Sequence, residues 1–276
     1  YNDEVKIYAT ETQFQDFTKQ KNFVANDKIK NWIIYEDDQI ILVNKPRGML
    51  VQKSTSRDES LDQLVAEYLI YTGTYDPENE LAFKPGPAHR LDRNTSGIVA
   101  FGKTHKALRL LFQLFKGQDL IDKHYLVLVV GNVEKDKGLI NAPLKKDNAT
   151  NSVTVATVEQ GAKTAKTTYK VLKRLTDYTL LDVTLLTGRT HQIRVHLAHI
   201  NHPIVGDPKY GDLANNRLFK QQFGLAHQFL HAYKIGFGDL PTPLVHLSGQ
   251  QFTAPIKERL LNILEQLNIG KEGLYL

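Results

Sequence analysis

The order of apolar and polar residues along the chain predicts more strands than helices. Apolar or alternating runs predict strands at 3–9, 40–44, 98–101, 125–130, 152–158, 167–172, 178–186 and 229–237. Apolar residues at helical spacing predict helices at 62–71, 104–115, 190–200 and 255–267. Because these elements do not alternate as strand–helix–strand units, the sequence predicts an α+β fold with a mixed, mostly antiparallel sheet and flanking helices.

Turn signals and uneven composition divide the chain into an arm and a folded core. Residues 1–31 are polar and have no clear period after the short strand, so we interpret them as a linker or arm. The core is predicted at 32–276, with a turn at 45–48 and a long loop at 71–87. Since the first residue is Tyr1 rather than Met, we expect the chain to be a fragment or a trimmed protein.

Composition excludes several classes of protein and site. Hydrophobic residues make up 41% of the chain and charged residues 24%, which is ordinary for a globular domain and excludes wholesale disorder. The absence of cysteine excludes disulfides and thiolate metal sites and is compatible with the cytoplasm, where we expect the protein. No apolar run is long enough to span a bilayer, so we expect no membrane partner.

The net charge of +5 is a weak indication of an anionic partner, but the distribution of charge is a stronger one. Residues 84–174 carry 17 Lys and Arg against 7 Asp and Glu, whereas residues 1–80 carry 9 against 15. A basic middle region is typical of proteins that contact nucleic-acid phosphates, because each contact releases condensed counterions. A solvated surface with exposed lysines would have the same composition, so charge alone leaves both interpretations open.

One candidate site is the segment 89–97, in which Asp92 stands between Arg90 and Arg93. The segment follows a Pro-Gly-Pro turn and precedes a predicted strand, so we expect Asp92 on a loop. Neighbouring cations lower the pKa of a carboxyl group, and an ionised, oriented carboxylate can act as a nucleophile or a general base. The alternative is a loop aspartate that accepts hydrogen bonds from nearby backbone amides.

A second candidate site is the segment 187–197, where a predicted strand ends and a helix begins. On that helix His191, Arg194 and Ala198 share one face, while Ile193 and Leu197 point elsewhere, into the core. Arg194 is therefore placed to enter a cleft and to pair with a carboxylate through its planar guanidinium. The alternative is a surface salt bridge, which contributes little to stability.

The histidines near this helix do not have the spacing of a metal site. The sequence has no HExxH motif, no cysteine, and no carboxylate between the histidines His191, His196, His199 and His202. The phosphate-binding motif GxxxxGK[ST], the dinucleotide-binding motif GxGxxG and the serine-hydrolase motif GxSxG are also absent. We therefore predict neither a metal nor an organic cofactor.

Four blocks, in order, resemble the pseudouridine synthases that modify large-subunit ribosomal RNA. They lie at 41–51, 89–104, 123–131 and 188–211 and read ILVNKPRGMLV, HRLDRNTSGIVAFGKT, KHYLVLVVG and GRTHQIRVHLAHINHPIVGDPKYG. The resemblance runs from about Trp32 to the C-terminus, and it implies the fold of that family with a central catalytic cleft. Residues 142–146 (APLKK) are most similar to the ribosomal branch of the family, which modifies several uridines.

The resemblance implies a role for several residues. Asp92 would be the catalytic aspartate, Tyr125 would stack on the target uracil, and Arg194 would form a salt bridge with Asp92. Ile193 would line the uracil pocket. Arg90 would help to extrude the uridine and would fill the space it leaves, since a stacked base hides its glycosidic bond. The substrate-binding residues that the resemblance implies are Arg90, Ile193, His89, Arg93 and Thr95.

The implied reaction breaks the bond between ring nitrogen and ribose, rotates the uracil and rejoins it through carbon five, without cofactor or metal. Whether Asp92 attacks the anomeric carbon or removes the ribose 2′ proton stays open. The expected partner is large-subunit ribosomal RNA, and the expected state is a monomer. Three alternatives stay open: the same reaction on transfer RNA, a non-catalytic RNA-binding or ribosome-assembly protein, and a metal hydrolase that uses the histidines.

Two features depart from the family pattern or add to it. Gln52 and Lys53 stand where many members have a histidine, which leaves the loop on the substrate side unassigned. Residues 1–9 resemble the end of the small alpha-L RNA-binding domain that often precedes this catalytic domain. We therefore expect the chain to be a catalytic fragment that lacks part of its RNA-binding surface.

Overall fold

The computed structural model describes residue 10 and residues 23–55, 58–80, 83–117 and 120–270, so the strand predicted at 3–9 lies outside the described residues. The strands within these ranges are β1 (Ile33–Glu36), β2 (Ile40–Lys45), β3 (Gly86–Pro87), β4 (Ser96–Gly102), β5 (Ile121–Val130), β6 (Lys137–Asn141), β7 (Leu144–Asp147), β8 (Ser152–Val155), β9 (Lys166–Arg174), β10 (Tyr178–Leu185), β11 (Leu230–Phe237) and β12 (Gln251–Thr253). The α-helices are α1 (Leu61–Tyr71), α2 (His105–Phe115), α3 (Gln192–His199), α4 (Leu213–Phe223) and α5 (Glu258–Gln266). No helix in the described ranges has the length and apolar character needed to cross a membrane.

Ten of these strands form one sheet, and β7 and β8 pair with each other outside it. The main order is β1-β2-β4-β11-β5-β10-β9-β6, with β3 beside β4 and β12 beside β11. Among the described strands, β4 and β11 form the one parallel pair, and all other pairs are antiparallel. The prediction of an α+β fold with a mixed, mostly antiparallel sheet is therefore confirmed.

The central strands are continuous apolar runs because the sheet is covered on both faces. In β2, Ile41 and Val43 belong to a hydrophobic cluster that includes the buried side of α1. Ile40 and Leu42, which alternate with them, belong to a second cluster that includes the buried side of α2. Successive side chains of a strand point to opposite faces, so burial on both faces requires an apolar residue at every position. This requirement made the strand at 40–44 recognisable in the sequence.

Most predicted elements differ from the observed ones at their ends. Helix α2 begins one residue later than predicted, because Thr104 is its N-cap and accepts a hydrogen bond from the backbone N–H of Ala107 at 3.2 Å. Helix α5 begins at Glu258 rather than at residue 255, because Lys257 still has an extended backbone. End residues are the least certain part of any assignment from a pattern, since capping rather than apolar spacing decides them.

Helix α4 is not predicted by the apolar pattern. Phe219 is its one buried residue in the described structure, so no apolar stripe stands out among its eleven residues. Its ends nevertheless carry sequence signals. Asp212 accepts a hydrogen bond from the backbone N–H of Asn215 at 2.8 Å, and Gly224 ends the helix with a φ of 62°.

Candidate active site

Asp92 lies on the loop between β3 and β4, and a buried lysine holds that loop in place. Lys45, at the end of β2, is fully buried. Its Nζ donates to the carbonyl oxygens of Pro46, Met49 and Arg93 at 3.0, 2.9 and 3.1 Å. Burial lowers the pKa of Lys45 to about 7, although the negative charge of Asp92 opposes this shift. The lysine therefore ties the turn after β2 to the loop that carries Asp92.

At its other end, the Asp92 loop is fixed by the close approach of two backbones. Gly97 on β4 has a φ of 116°, and a Cβ atom there would lie 2.2 Å from the carbonyl oxygen of Ala232 on β11. Any side chain at position 97 would therefore collide with the neighbouring strand. The parallel pairing of β4 with β11 includes this glycine, so it fixes where the loop joins the sheet.

Arg194 on α3 joins two carboxylates. Its Nε and Nη2 atoms donate to Asp207 at 2.6 and 2.8 Å, which is a two-point contact between planar groups. Its third nitrogen, Nη1, donates to Oδ2 of Asp92 at 3.1 Å. The structure therefore brings together the arginine and the aspartate that the sequence pairs, and it adds a second, fully buried aspartate.

The buried pair is held in its charged form. Burial acts to lower the pKa of Arg194, but the hydrogen bonds and charge of Asp207, followed by those of Asp92, raise it. Burial acts to raise the pKa of Asp207, but the hydrogen bonds and charge of Arg194 lower it. The backbone N–H groups of Lys209 and Tyr210 also donate to Asp207, at 2.9 and 3.1 Å. Asp207 is thus surrounded by donors, and it fixes the guanidinium that faces Asp92.

Asp92 opens onto a narrow cleft that is open to solvent and has a cavity volume of about 70 Å³. Tyr125 on β5 lines the cleft and is almost fully buried. Burial and the charge of Asp92 raise the pKa of Tyr125 well above its usual value, so its phenol stays protonated. Ile193 supplies a further apolar wall, and the side chain of Asp92 is 29% exposed. The cleft therefore presents one accessible carboxylate between apolar surfaces.

His191 faces Asp92 from a strained backbone conformation. Its φ of 52° is left-handed, which is uncommon for a residue other than glycine and often marks functional sites. Its Nδ1 lies 2.8 Å from the hydroxyl of Tyr210, which accepts a hydrogen bond from the backbone N–H of Val153 at 3.0 Å. This arrangement favours Tyr210 as donor to Nδ1, which places the ring proton on Nε2, 3.9 Å from Asp92. Burial lowers the pKa of His191, so the ring is neutral near pH 7.

Six of the eight site residues proposed from the sequence line this one cleft. They are Arg90, Asp92, Thr95, Tyr125, Ile193 and Arg194. Arg90 is exposed at the edge of the cleft, whereas Thr95 is buried and accepts a hydrogen bond from Gln228 at 3.3 Å. The two blocks that contain most of these residues are far apart in the sequence, and the sheet brings them together.

His89 and Arg93 do not line the cleft. Nε2 of His89 accepts a hydrogen bond from the backbone N–H of Ala100 at 3.1 Å, and its ring stacks on Phe115 at 4.2 Å. Burial lowers the pKa of His89 to about 3, so the ring is neutral. The side chain of Arg93 is 51% exposed and contacts Asp58 at 3.3 Å. These contacts place His89 in the packing of α2 and Arg93 on the surface.

The sequence did not single out three residues that organise the site: Lys45, Asp207 and Tyr210. All three lie in blocks that carry the family resemblance, Lys45 in the first and the others in the last. An apolar strand that ends in lysine, and an Asp-Pro-Lys-Tyr turn soon after a helix, were the signals available. Neither signal gives a direction for the side chain, which depends on packing between distant segments.

The histidines of α3 and its surroundings bind backbone and hydroxyl groups. His196 contacts the hydroxyl of Thr167 at 2.8 Å and the carbonyl oxygen of Ala142 at 2.9 Å. His202 contacts the carbonyl oxygen of Val130 at 3.0 Å. Within the ranges that the structure describes, no group of three or more His, Asp or Glu side chains could hold a metal ion.

The comparisons with known proteins identify the family. The family model for RNA pseudouridylate synthases matches residues 39–199, a range that includes Asp92, Tyr125 and Arg194. The ribosomal large subunit pseudouridine synthase C of Haemophilus ducreyi is 35% identical over 245 residues, which cover 88% of this chain and 71% of that protein. The tRNA pseudouridine synthase C of Vibrio cholerae is 33% identical over 216 residues, which cover 74% of this chain and 84% of that protein.

A solved structure supports the fold separately. Human RNA pseudouridylate synthase domain containing 4 superposes with a TM-score of 0.68 at 21% identity, covering 87% of this chain and 94% of the human one. The fold, the family model and the relatives thus indicate one family. The chain belongs to the RNA pseudouridylate synthase family, and it is an isomerase that converts uridine in RNA to pseudouridine.

Proposed function

We propose that this chain isomerises specific uridines in large-subunit ribosomal RNA and that Asp92 is its catalytic carboxylate. The proposal is carried by the 3.1 Å contact between Arg194 and Asp92 inside the cleft that Tyr125 and Ile193 also line. Because Asp207 fixes Arg194, the carboxylate of Asp92 has a stationary counter-ion. An ionised carboxylate in a shielded and oriented position is what attack on a sugar, or removal of its proton, requires.

The target uridine has to leave its stack before a carboxylate can reach its glycosidic bond. Arg90 is exposed on the same loop as Asp92 and borders the cleft. We assign Arg90 to the space that the uridine vacates, where its guanidinium can stack on the neighbouring bases.

In the cleft, the bond between N1 of uracil and C1′ of ribose breaks, the base rotates, and a bond forms between C5 and C1′. C5 loses its proton and N1 gains one, so the product is an isomer and no co-reactant is consumed. Asp92 acts on the ribose, either by attacking C1′ or by removing the 2′ proton. Both routes use the same ionised oxygen next to Arg194.

Tyr125 and Ile193 give the uracil two apolar walls while it is detached. The ring of Tyr125 offers a face for stacking, and stacking on an aromatic ring is worth about 1–3 kcal/mol per base. Its raised pKa keeps the phenol neutral, so Tyr125 adds no further anion beside Asp92 and Asp207. The protonated hydroxyl is also available as a proton donor or relay during the exchange at C5 and N1.

We assign catalysis to residues 32–276 as one domain, and residues 1–31 to a linker or arm. The family model's match at 39–199 lies inside this catalytic domain. The enzyme would act as a monomer in the cytoplasm, on ribosomal RNA and without a membrane partner.

Transfer RNA is the second candidate substrate. A relative named as a transfer RNA pseudouridine synthase is 33% identical to this chain, nearly as similar as the ribosomal relative at 35%. The ribosomal proposal is preferred because the segment 142–146 is most similar to the ribosomal branch.

The test is pseudouridine mapping by carbodiimide adduct and primer extension on RNA from cells that lack the gene. The cells would be complemented with the wild-type protein, with Asp92→Asn, or with Asp136→Asn as a matched control. Asp136 is 81% exposed and pairs with Arg174 outside the cleft. We expect wild type and Asp136→Asn to restore the missing sites. Asp92→Asn should be slower by at least about 10³-fold, since it loses the reacting group at nearly constant shape.

The mapped sites decide between the substrates. Sites in large-subunit ribosomal RNA support the proposal, and sites in transfer RNA alone move the activity to the second candidate. Substantial activity of Asp92→Asn, once mass spectrometry has excluded deamidation back to aspartate, would refute the role of Asp92.

A further inference from the structure

A second cavity lies on the other side of the turn that follows β2. It has a volume of about 560 Å³ and lies between that turn and the start of α5. Its charged lining residues are Arg47, Lys257, Arg259 and one acid, Glu258. The remaining lining is apolar apart from Ser96, whose hydroxyl already contacts Nδ1 of His231 at 2.9 Å. The cavity therefore has an excess of positive charge and few groups that could recognise a base.

Arg47 is the most unusual of these cations. Its side chain is half-buried, and no hydrogen bond or ion pair engages its guanidinium within the described part of the chain. Burial, followed by the charge of Arg259, lowers the pKa of Arg47 to about 10. A partly desolvated guanidinium close to another one is unfavourable unless an anion joins them.

The other two cations make only weak contacts. Nη1 of Arg259 donates to the carbonyl oxygen of Gly224 at 3.4 Å, and Nζ of Lys257 lies 5.2 Å from the centre of the Trp32 ring. Neither of these contacts neutralises a positive charge. Both side chains are exposed and border the cavity, so they can turn toward an anion that enters it.

The cavity adjoins the loop that carries Asp92. Gly48, next to Arg47, donates its backbone N–H to the carbonyl oxygen of Arg93 at 2.9 Å. Burial and then the charge of Arg47 lower the pKa of His227, whose Nδ1 lies 3.2 Å from Nδ2 of Asn94. A ligand at Arg47 would therefore lie beside the segment that positions the catalytic carboxylate.

We propose that this cavity binds a backbone phosphate of the substrate RNA beside the nucleotide held at Asp92, through Arg47 and Arg259. The inference rests on the proposed function in that it takes RNA as the ligand. Guanidinium groups bind phosphate oxygens in pairs, and a phosphate between the two arginines would replace their repulsion by attraction. The cavity has few free polar groups that could recognise a base. It would therefore position the RNA strand without selecting its sequence.

The test measures RNA binding in the Asp92→Asn background, so that the RNA stays unmodified. The probe is an in vitro transcript of large-subunit ribosomal RNA, measured by filter binding between 50 and 200 mM KCl. The double variant Arg47→Gln with Arg259→Gln should bind the RNA at least about tenfold more weakly at 50 mM KCl, because it loses two charge-assisted contacts. The salt slope should fall by about 0.7, which corresponds to one single-strand phosphate contact.

Two controls distinguish a specific phosphate site from a general loss of positive charge. Arg217→Gln with Lys220→Gln also removes two cations, from exposed positions on α4 that line neither cavity and lie outside the basic region 84–174, and should leave affinity and slope nearly unchanged. Arg47→Lys keeps the charge and should keep the salt slope. Urea unfolding of each variant would identify any loss of affinity that comes from misfolding.

The outcomes distinguish this inference from the proposed function. If the wild type isomerises the RNA but the Arg47 and Arg259 double variant binds like the α4 control, the phosphate site is refuted. If the wild type leaves the RNA unchanged but the double variant still loses affinity and slope, the proposed function fails and the phosphate site stands. Equal losses in both double variants would also refute the site, because the effect would then be one of net charge.

Discussion

Two arginine–aspartate pairs in this chain have the same shortest distance and opposite surroundings. Arg194 and Asp207 approach to 2.6 Å, with side-chain exposures of 8% and 0%. Arg174 and Asp136 also approach to 2.6 Å, with exposures of 33% and 81%. Water screens the second pair, whereas the first is buried and further bonded. Distance alone therefore does not indicate what an ion pair contributes; burial and the remaining partners do.

The two pairs also differ in what the arginine does with its other nitrogens. Arg174 donates to the carbonyl oxygens of Val133 and Glu134, so it closes a turn. Arg194 donates its remaining nitrogen to Asp92, so it connects the core to the cleft. The buried pair thus reaches the cleft through Arg194, whereas the exposed pair has no contact with the cleft.

The largest difference is expected when each aspartate is changed to asparagine. Asp207→Asn leaves a buried arginine without its main counter-ion, and breaking such pairs costs about 3–5 kcal/mol of unfolding free energy. Asp136→Asn should cost at most about 0.5 kcal/mol, because its pair is exposed. Urea unfolding measured by circular dichroism compares the two. Equal losses would contradict the argument from burial.

At acid pH, the wild type should lose most of its additional unfolding free energy relative to Asp207→Asn. The folded pKa of Asp207 is lowered, so its contribution is complete above its unfolded pKa near 4 and is lost as the pH falls through the folded value. The unfolding free energies of the wild type and Asp207→Asn should therefore converge below about pH 4 and stay apart at pH 7. A constant difference between pH 7 and pH 2 would show that Asp207 acts through its shape alone.

Two lysines repeat the comparison at a smaller scale. Lys45 is fully buried and donates to three carbonyl oxygens, whereas Lys209 is exposed and donates to those of Thr150 and Asn151. Lys45→Met should cost about 2 kcal/mol of unfolding free energy because buried carbonyl oxygens lose their donor. Lys209→Met should cost a few tenths of a kcal/mol because water replaces the amine. The ordering of the two urea midpoints is the measurement, and a reversed order would contradict it.

The smallest difference in stability is expected between two tyrosine variants. Tyr210→Phe removes the hydroxyl that contacts His191, and Tyr178→Phe removes one that donates to Asn215 at 2.8 Å. Each should cost about 1 kcal/mol of unfolding free energy. Isomerase activity should fall in Tyr210→Phe alone, because the ring proton of His191 is then no longer directed at Asp92. Equal activities would mean that His191 needs no partner.

The sequence predicted the strands and helices that repeat an apolar pattern and missed those that do not. Buried on both faces, β2 and β4 appear as apolar runs, whereas α4 buries one residue and is marked by Asp212 and Gly224 at its ends. The helix at 192–199 was predicted because Ile193 and Leu197 are buried at helical spacing. Periodicity thus identifies elements that contribute to the core, and capping residues identify the others.

The sequence identified the residue types of the site but not the directions in which their side chains point. Arg194 was paired with Asp92 from the resemblance, but its stronger partner Asp207 lies on a turn after the helix, where no period relates the two positions. His89 is three residues before Asp92, yet its ring packs on Phe115, because the contact with α2 decides its direction. Contacts of this kind come from packing between distant segments, which a local pattern does not encode.

The contacts of Lys45 make this amine a reporter of loop opening. Burial removes the amine from solvent, so an acylating reagent can react with Lys45 only after it becomes exposed. No reagent reaches it while the turn after β2 and the Asp92 loop are closed over it. The rate at which Lys45 is acylated, against the rate for exposed Lys209, therefore measures how often these two loops separate. The same measurement with RNA bound would record whether substrate holds them shut.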